Sequence, residues 1–197
     1  MMFLLLLVIF AATTAGLWFQ GLWNGLVTLV NMILAMVIAT SFYEPAAAAI
    51  EGFGGFFASI KYLLDFVVLW LLFFLAYSIL RAVTDSLSKE RVKFDKPIEL
   101  GGRSIVAAVC GWIMVCFVAF SLHMAPLNSA TPLGAWSKPS SRMFGPVSPD
   151  RLWLGFMHSR SQGALAGNVF DPDAEFLLKY HDRREKYAKE QAMRVGQ

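Results

Sequence analysis

The chain has 197 residues and a formal net charge of +3 at pH 7, and 57% of its residues are hydrophobic. A soluble domain is usually about 45–50% apolar, and the apolar excess here lies almost entirely before Pro126. The 17 Lys and Arg residues are mostly split between one loop and the C-terminal region. Because they form no single basic face, the composition argues against a nucleic-acid partner. It predicts an integral membrane protein.

Four long apolar runs predict four transmembrane helices, because about 20 apolar residues are needed to cross the hydrocarbon core of a bilayer. The first run could instead be a secretory signal. A signal needs a positive N-terminal region, and no Lys or Arg precedes Lys61, so an uncleaved span is favoured. The four predicted spans cover residues 2–19, 22–43, 62–80 and 104–125.

The second predicted span should end at Glu44 and Pro45, since proline has no amide hydrogen to donate within a helix. The segment 46–59 that follows contains Gly52, Gly54 and Gly55 among phenylalanines. It is too short and too rich in glycine to cross a bilayer. An interfacial or re-entrant helix is one interpretation, and an ordinary ordered loop is the other.

The basic residues also predict an orientation, because short loops rich in Lys and Arg stay in the cytoplasm. Segment 81–103 is the most basic connection, whereas segment 44–61 carries only Lys61. Four spans would then place both termini outside the cytoplasm. Contact with anionic headgroups is a second role for the loop, although topology alone explains it. Its basic residues are Arg81, Lys89, Arg91, Lys93, Lys96 and Arg103.

Two polar residues lie within the predicted spans. Asp65 is one turn into the third span and four residues after Lys61, so an i,i+4 ion pair near the interface explains it. The alternative is an ion or proton pathway, since ionisable groups in a membrane are often functional. Asn31 is in the middle of the second span, where an amide usually hydrogen-bonds a neighbouring helix.

Small residues four positions apart indicate close helix packing, because they let two helix backbones approach in a lipid environment. The pairs are Gly21 with Gly25 and Ala107 with Gly111. We expect them to pack helices within the bundle, with a dimer face as the alternative.

The sequence shows no arrangement of residues typical of catalysis or metal binding. Cys110 and Cys116 lie in an apolar run and are expected to be buried, inert thiols. His123, His158 and His181 are scattered, with no second ligand at helical spacing. No Ser-His-Asp pattern or nucleophile elbow is present. We therefore predict that the chain is not an enzyme and has no catalytic, cofactor-binding or metal-binding residue.

The C-terminal region divides into a linker and a helical tail. Residues 126–147 are rich in proline and serine, and residues 148–197 are charged. Ser148 and Pro149 are suited to begin a helix, which would lie on the membrane surface or pack on the bundle. A second helix is predicted over residues 174–193. It extends from the membrane, binds a partner or frays.

The order of these features resembles the colicin V production protein (CvpA) family of bacterial inner-membrane proteins. The resemblance covers roughly residues 15–125. It rests on a glycine-containing turn at 21–25, Phe-Tyr-Glu-Pro at 42–45, a basic loop after Leu80-Arg81, and Phe-Asp-Lys-Pro at 94–97. The last motif leads into a fourth span with small residues and one arginine, namely Gly101, Gly102, Arg103, Ala107 and Gly111.

The chain departs from the family pattern at three places. No acidic residue enters the first span. Gln20 and Asn24 stand where the family's first turn usually carries arginines, and residues 112–115 lack the family's Arg-Gly pair.

The expected fold is therefore all-α: a four-transmembrane-helix bundle at residues 1–125, a linker at 126–147 and a helical extracytoplasmic tail at 148–197. The resemblance implies a multi-pass protein of the bacterial inner membrane. Its role would be non-catalytic, in toxin (bacteriocin) production or export or in envelope maintenance. The alternative is a subunit of a small oligomeric channel or transporter. Candidate partners are the lipid bilayer, an envelope protein bound through the tail and further copies of the chain, and no cofactor is expected.

Overall fold

A computed structural model of the chain describes residues 2–52, 54, 60–87, 94–126, 148–162 and 169–195. Within these ranges all regular secondary structure is helical, as predicted. The predicted linker after Pro126, three of the loop bases (Lys89, Arg91 and Lys93) and most of segment 53–59 lie outside the described residues.

The described residues form six helices, which we number in chain order. They are α1 Met2–Trp18, α2 Leu22–Glu51, α3 Lys61–Leu87, α4 Lys96–Leu122, α5 Pro149–Ser161 and α6 Phe176–Val195.

Three of these helices, α2, α3 and α4, are long and apolar enough to cross a membrane. Helix α1 is apolar but has 17 residues, and at 1.5 Å per residue it measures about 25 Å against a hydrocarbon core of about 30 Å. By length and composition, the described helices therefore match three of the four predicted spans, and α1 is shorter than the usual span.

Two predicted helix ends were wrong. Helix α2 continues through Pro45 to Glu51, although a proline there cannot donate a hydrogen bond to the Ser41 carbonyl. Four alanines follow it, and alanine is the best helix former. Helix α3 continues to Leu87, so Arg81 lies inside a helix and not in the loop.

Helices α1 and α4 pack side by side in opposite directions. A Cβ atom added at Gly111 of α4 would collide with the Thr14 hydroxyl and lie 3.1 Å from the Phe10 carbonyl oxygen of α1. The absence of a side chain at Gly111 therefore allows this approach. Met2 and Leu6 of α1 are buried in a second cluster with residues of α4, namely Val115, Val118 and Ala119.

Helix α2 packs most extensively against α3 and also contacts α4. Asn31 donates a 2.8 Å hydrogen bond to Thr84 of α3, and Arg81 of α3 donates to Thr28 at 3.1 Å. Polar side chains thus join α2 and α3 where lipid would offer no hydrogen-bond partner.

The bundle has two ends that differ in composition. We call the end near Met2, Glu44, Lys61 and His123 the tail end, because α5 and α6 contact the bundle there. The opposite end carries the α1–α2 turn and the start of α4, and we call it the loop end.

Gly111→Ala should destabilise the bundle, because the new methyl group would push α1 away from α4. Overpacking of this kind costs about 1–3 kcal/mol. Gly101→Ala is the matched control on the same helix, since its Cβ would have no heavy atom within 4 Å. Thermal unfolding of the purified protein in detergent should show a lower midpoint for Gly111→Ala and an unchanged or higher one for Gly101→Ala. Equal midpoints would contradict the close α1–α4 contact.

Candidate functional site

The tail helices are packed onto the bundle through aromatic side chains. Trp153 of α5 is 4% exposed, and its indole ring lies 5.5 Å from the ring of Phe117 on α4. Its Nε1 donates a 3.2 Å hydrogen bond to the Thr40 hydroxyl of α2. Of the two predicted locations for this helix, the structure therefore has it packed on the bundle.

Helix α6 continues the same aromatic layer. Phe176 stacks on Phe120 of α4 with ring centroids 4.9 Å apart, and it contacts Tyr180 one turn later at 4.7 Å. All three side chains are buried. Large aromatic rings contribute much of the energy of such contacts, so α6 belongs to the core that α2, α3 and α4 share.

Asp65 is the polar centre of this contact. Its carboxylate accepts a 2.8 Å hydrogen bond from the Tyr180 hydroxyl and an ion-paired hydrogen bond from Arg183. Arg183 also donates to the Lys61 carbonyl oxygen. The Asp65 side chain is 13% exposed and that of Arg183 is 25% exposed, so the pair is shielded from water and solvent screens it less than a surface pair.

The predicted i,i+4 pair between Lys61 and Asp65 was therefore wrong. The Lys61 ammonium instead lies 3.8 Å from Glu190 of α6. Asp65 takes its cation from a helix 118 residues later in the chain, a partner that helical spacing within α3 could not reveal.

Further polar contacts join α6 to α2 and α3 near Asp65. Glu190 also accepts a 2.5 Å hydrogen bond from Tyr62, and Lys179 pairs with Glu44 of α2 at 2.6 Å. Both side chains of that last pair are more than half exposed, so it adds little to stability. We call Asp65, Tyr180, Arg183 and these further polar contacts the α6 clamp.

Burial and neighbouring charge keep the Tyr180 hydroxyl in its donor form. Removal from water raises the pKa of this phenol, and the Tyr43 hydroxyl and the Asp65 carboxylate raise it further. A neutral tyrosine can donate to Asp65 at any physiological pH, so pH near neutrality does not switch this hydrogen bond.

A second polar contact holds the start of α5. His123 Nε2 lies 2.9 Å from the Asp150 carboxylate, and both side chains are buried. Burial lowers the pKa of His123, and the positive charges of Arg184 and Arg151 oppose its protonation further, although Asp150 favours it. Burial alone would raise the pKa of Asp150, but the hydrogen bond from His123 and the charge of Arg151 hold it below its usual value. Near neutral pH both shifts favour a neutral imidazole beside a carboxylate.

The predicted small residues lie within the bundle, at the loop end and along α1 and α4. A Cβ at Gly25 would lie 3.2 Å from Val106 of α4, and Ala107 is buried. Gly21 has φ +84°, a left-handed conformation that favours glycine. Its close neighbour is the Glu99 carboxylate, which accepts a 2.8 Å hydrogen bond from the amide of Leu22 at the start of α2.

The described bases of the predicted loop are also at this end. Arg103 stacks over the Trp18 ring with its guanidinium carbon 4.0 Å from the ring centroid, and Arg81 pairs with Asp85 at 3.0 Å. Lys96 begins α4. The structure therefore groups Arg81, Lys96 and Arg103 at the loop end and Asp65 at the tail end.

Sequence reasoning missed most of the α6 clamp. The sequence predicts that the helix over residues 174–193 extends from the membrane, binds a partner or frays, whereas the structure packs it on the bundle. Phe176, Tyr180, Arg183 and Tyr187 follow one another at three- and four-residue steps, the spacing that places side chains on one helix face. That spacing was the available signal for a docking face.

Cys110 and Cys116 are free and buried, and the described residues contain no group of three or more metal-ligating side chains.

No protein-family model, curated protein or solved structure matches the chain.

Arg183→Gln should release α6 from the bundle, because it leaves the shielded Asp65 carboxylate without a cation. Losing a charge-assisted hydrogen bond of this kind costs about 1.5–3 kcal/mol. The rate of limited proteolysis within residues 176–190 of the full chain measures this opening. Lys189→Gln is the control, since its ammonium and Glu185 lie 4.0 Å apart and are mostly exposed. If both variants were cleaved at the wild-type rate, the clamp would have no energetic role.

Acidification should destabilise the packing of α5 on the bundle, because the folded state lowers the pKa of His123 below its ordinary value of 6.5. The unfolded state then binds more protons as pH falls below about 6.5, so stability is full above that pH and decreases below it, by no more than about 1.4 kcal/mol per pH unit. Thermal unfolding between pH 8 and pH 5 should show this decrease. His123→Gln should flatten the profile between pH 6.5 and pH 5, and an unchanged slope would contradict the assignment.

Proposed function

We propose that the chain is a multi-pass bacterial inner-membrane protein of the colicin V production type. Its role is non-catalytic, in bacteriocin production or export or in envelope maintenance. The support from the fold is an all-helical chain with three helices long and apolar enough to cross a membrane. The support from the sequence is the order of turn, basic loop and small-residue helix within residues 15–125.

Helix α1 is the first span in this proposal. It runs beside α4 from Trp18, whose Nε1 donates a 3.0 Å hydrogen bond to Ser104, to Met2, which is buried with Val118 and Ala119. Helix α1 thus matches the length of α4 between Ser104 and Ala119. A helix that accompanies a spanning neighbour over this length crosses most of the same hydrocarbon layer, and local thinning or flanking residues accommodate a short one.

The N-terminus and the tail are extracytoplasmic in this proposal. Arg81, Lys96 and Arg103 lie at the loop end, and the cytoplasm retains short connections rich in such residues. The tail contacts Glu44, Asp65 and His123 at the opposite end. An even number of spans puts the N-terminus on that same side.

The main support for a role without catalysis or transport is that polar side chains within α2 and α3 are hydrogen-bonded to other helices. Asn31 is bonded to Thr84, Thr40 to Trp153, and Asp65 to Tyr180 and Arg183. Water or ion passage needs polar groups that line an open path, and these groups bond other helices of the same chain. The arrangement supports a rigid structural protein whose tail faces the envelope.

Reporter fusions test the proposed orientation. A reporter that needs an oxidising, extracytoplasmic environment should be active when fused after Gln197 and inactive when inserted between Leu87 and Phe94. The opposite pattern would contradict the orientation. Activity at both sites would mean that α4 does not cross the membrane, which would also contradict the proposal.

Complementation tests the proposed role. Expression of the chain should restore colicin V production in a bacterium from which its own colicin V production protein has been deleted. Arg183→Gln should restore less than wild type at equal membrane abundance, and Lys189→Gln should restore as much. No restoration by correctly inserted wild-type protein would contradict the proposal. Ion flux through liposomes containing the purified protein would favour the channel instead.

A further inference from the structure

An apolar bay of about 200 Å³ opens between α2, α4 and α5. Its walls include Ile33 of α2, Trp112 and Cys116 of α4, and Leu152 and Phe156 of α5. Trp153 also lines the bay, and its indole nitrogen is hydrogen-bonded to Thr40. The bay belongs to neither the α6 clamp nor the His123–Asp150 contact.

The bay lies along the part of α4 that would be inside the bilayer. Cys116 and Trp112 precede Leu122, the last residue of α4, by six and ten residues, which places them about 9 and 15 Å from the tail end of that helix at 1.5 Å per residue. Its lining residues Trp112, Leu152 and Phe156 are 40%, 46% and 38% exposed, so the bay is open to its surroundings. A space of this composition does not hold ordered water, and leaving it empty would forfeit the dispersion contacts of its walls.

The side chain of Arg160 lies close to Phe156, one of the residues that line the bay. The guanidinium carbon of Arg160 is 5.9 Å from the centroid of the Phe156 ring, and Arg160 is exposed. Arg160 takes part in none of the ion pairs among the described residues. Guanidinium binds phosphate through two parallel hydrogen bonds, and its flexible stem lets the charge reach toward a headgroup while the apolar part stays in lipid.

We propose that the bay binds one acyl chain of an anionic phospholipid, whose phosphate is held by Arg160. The apolar walls select the acyl chain, and the positive charge of Arg160 selects the anionic headgroup. The site attaches α5 to the bundle through the lipid as well as through Trp153. The inference rests on the proposed insertion of α2 and α4 in a bilayer, with α5 packed against them from the extracytoplasmic side.

Photocrosslinking in nanodiscs tests the site. The full chain is placed in discs that contain a trace of phosphatidylglycerol or of phosphatidylcholine with a diazirine in the acyl chain. Adducts are mapped by mass spectrometry. Labelling at Trp112 and Phe156 is divided by labelling at Leu71, a 60% exposed residue of α3 that is not part of the bay. The ratio should be roughly fivefold higher for phosphatidylglycerol, the preference expected from one arginine near the membrane surface.

Arg160→Gln should bring the two ratios together, whereas Lys189→Gln, which removes an equal charge from α6, should leave the difference unchanged. Equal ratios for the two lipids in the wild-type protein would overturn the site, and so would a phosphatidylglycerol preference that survives Arg160→Gln. Absence of acyl labelling at Leu71 with either lipid would instead contradict the proposed membrane arrangement, so the two failures are distinguishable.

Discussion

The carboxylate of Asp65 imposes the constraint on which the rest of the fold depends. A charged side chain one turn inside an apolar helix is unfavourable unless a cation and hydrogen-bond donors satisfy it. Arg183 and Tyr180 supply both from the C-terminal helix. Because these donors lie more than 100 residues later in the chain, satisfying Asp65 requires α6 to return to the bundle. Helix α6 is therefore part of the fold and not an appendage.

The apolar contacts explain why the tail fits where it does. Helices α3 and α4 each pack on α2, and the Trp70 and Phe73 rings of α3 contact the Phe117 ring of α4. Phe117 and Phe120 of α4 are buried against Trp153 of α5 and Phe176 of α6. The tail helices thus supply aromatic surface to the tail end of the bundle. Elsewhere on α4, the absence of a side chain at Gly111 leaves room for α1.

The sequence predicted the helices better than their partners. Apolar run length located α1 to α4 because the bilayer requires such lengths, but Pro45 did not end α2 since one missing hydrogen bond is tolerated beside four alanines. The partner of Asp65 was mistaken for Lys61, because local spacing reveals only i,i+3 and i,i+4 neighbours. Arg183 lies on the face of α6 that contacts the bundle. The role of a charge among apolar residues can be recognised only when the residue opposite it, here Asp65, is known.

Hydrogen exchange of the full chain in nanodiscs tests the docking of α6 most directly. An isolated helix of this length is marginal in water, so protection of the amides between Phe176 and Lys189 must come from the bundle. The docked structure predicts that these amides exchange far more slowly than those of an unfolded peptide, and that Arg183→Gln accelerates them while α1 and α4 stay protected. Exchange at the unfolded-peptide rate in the wild-type protein would contradict the account.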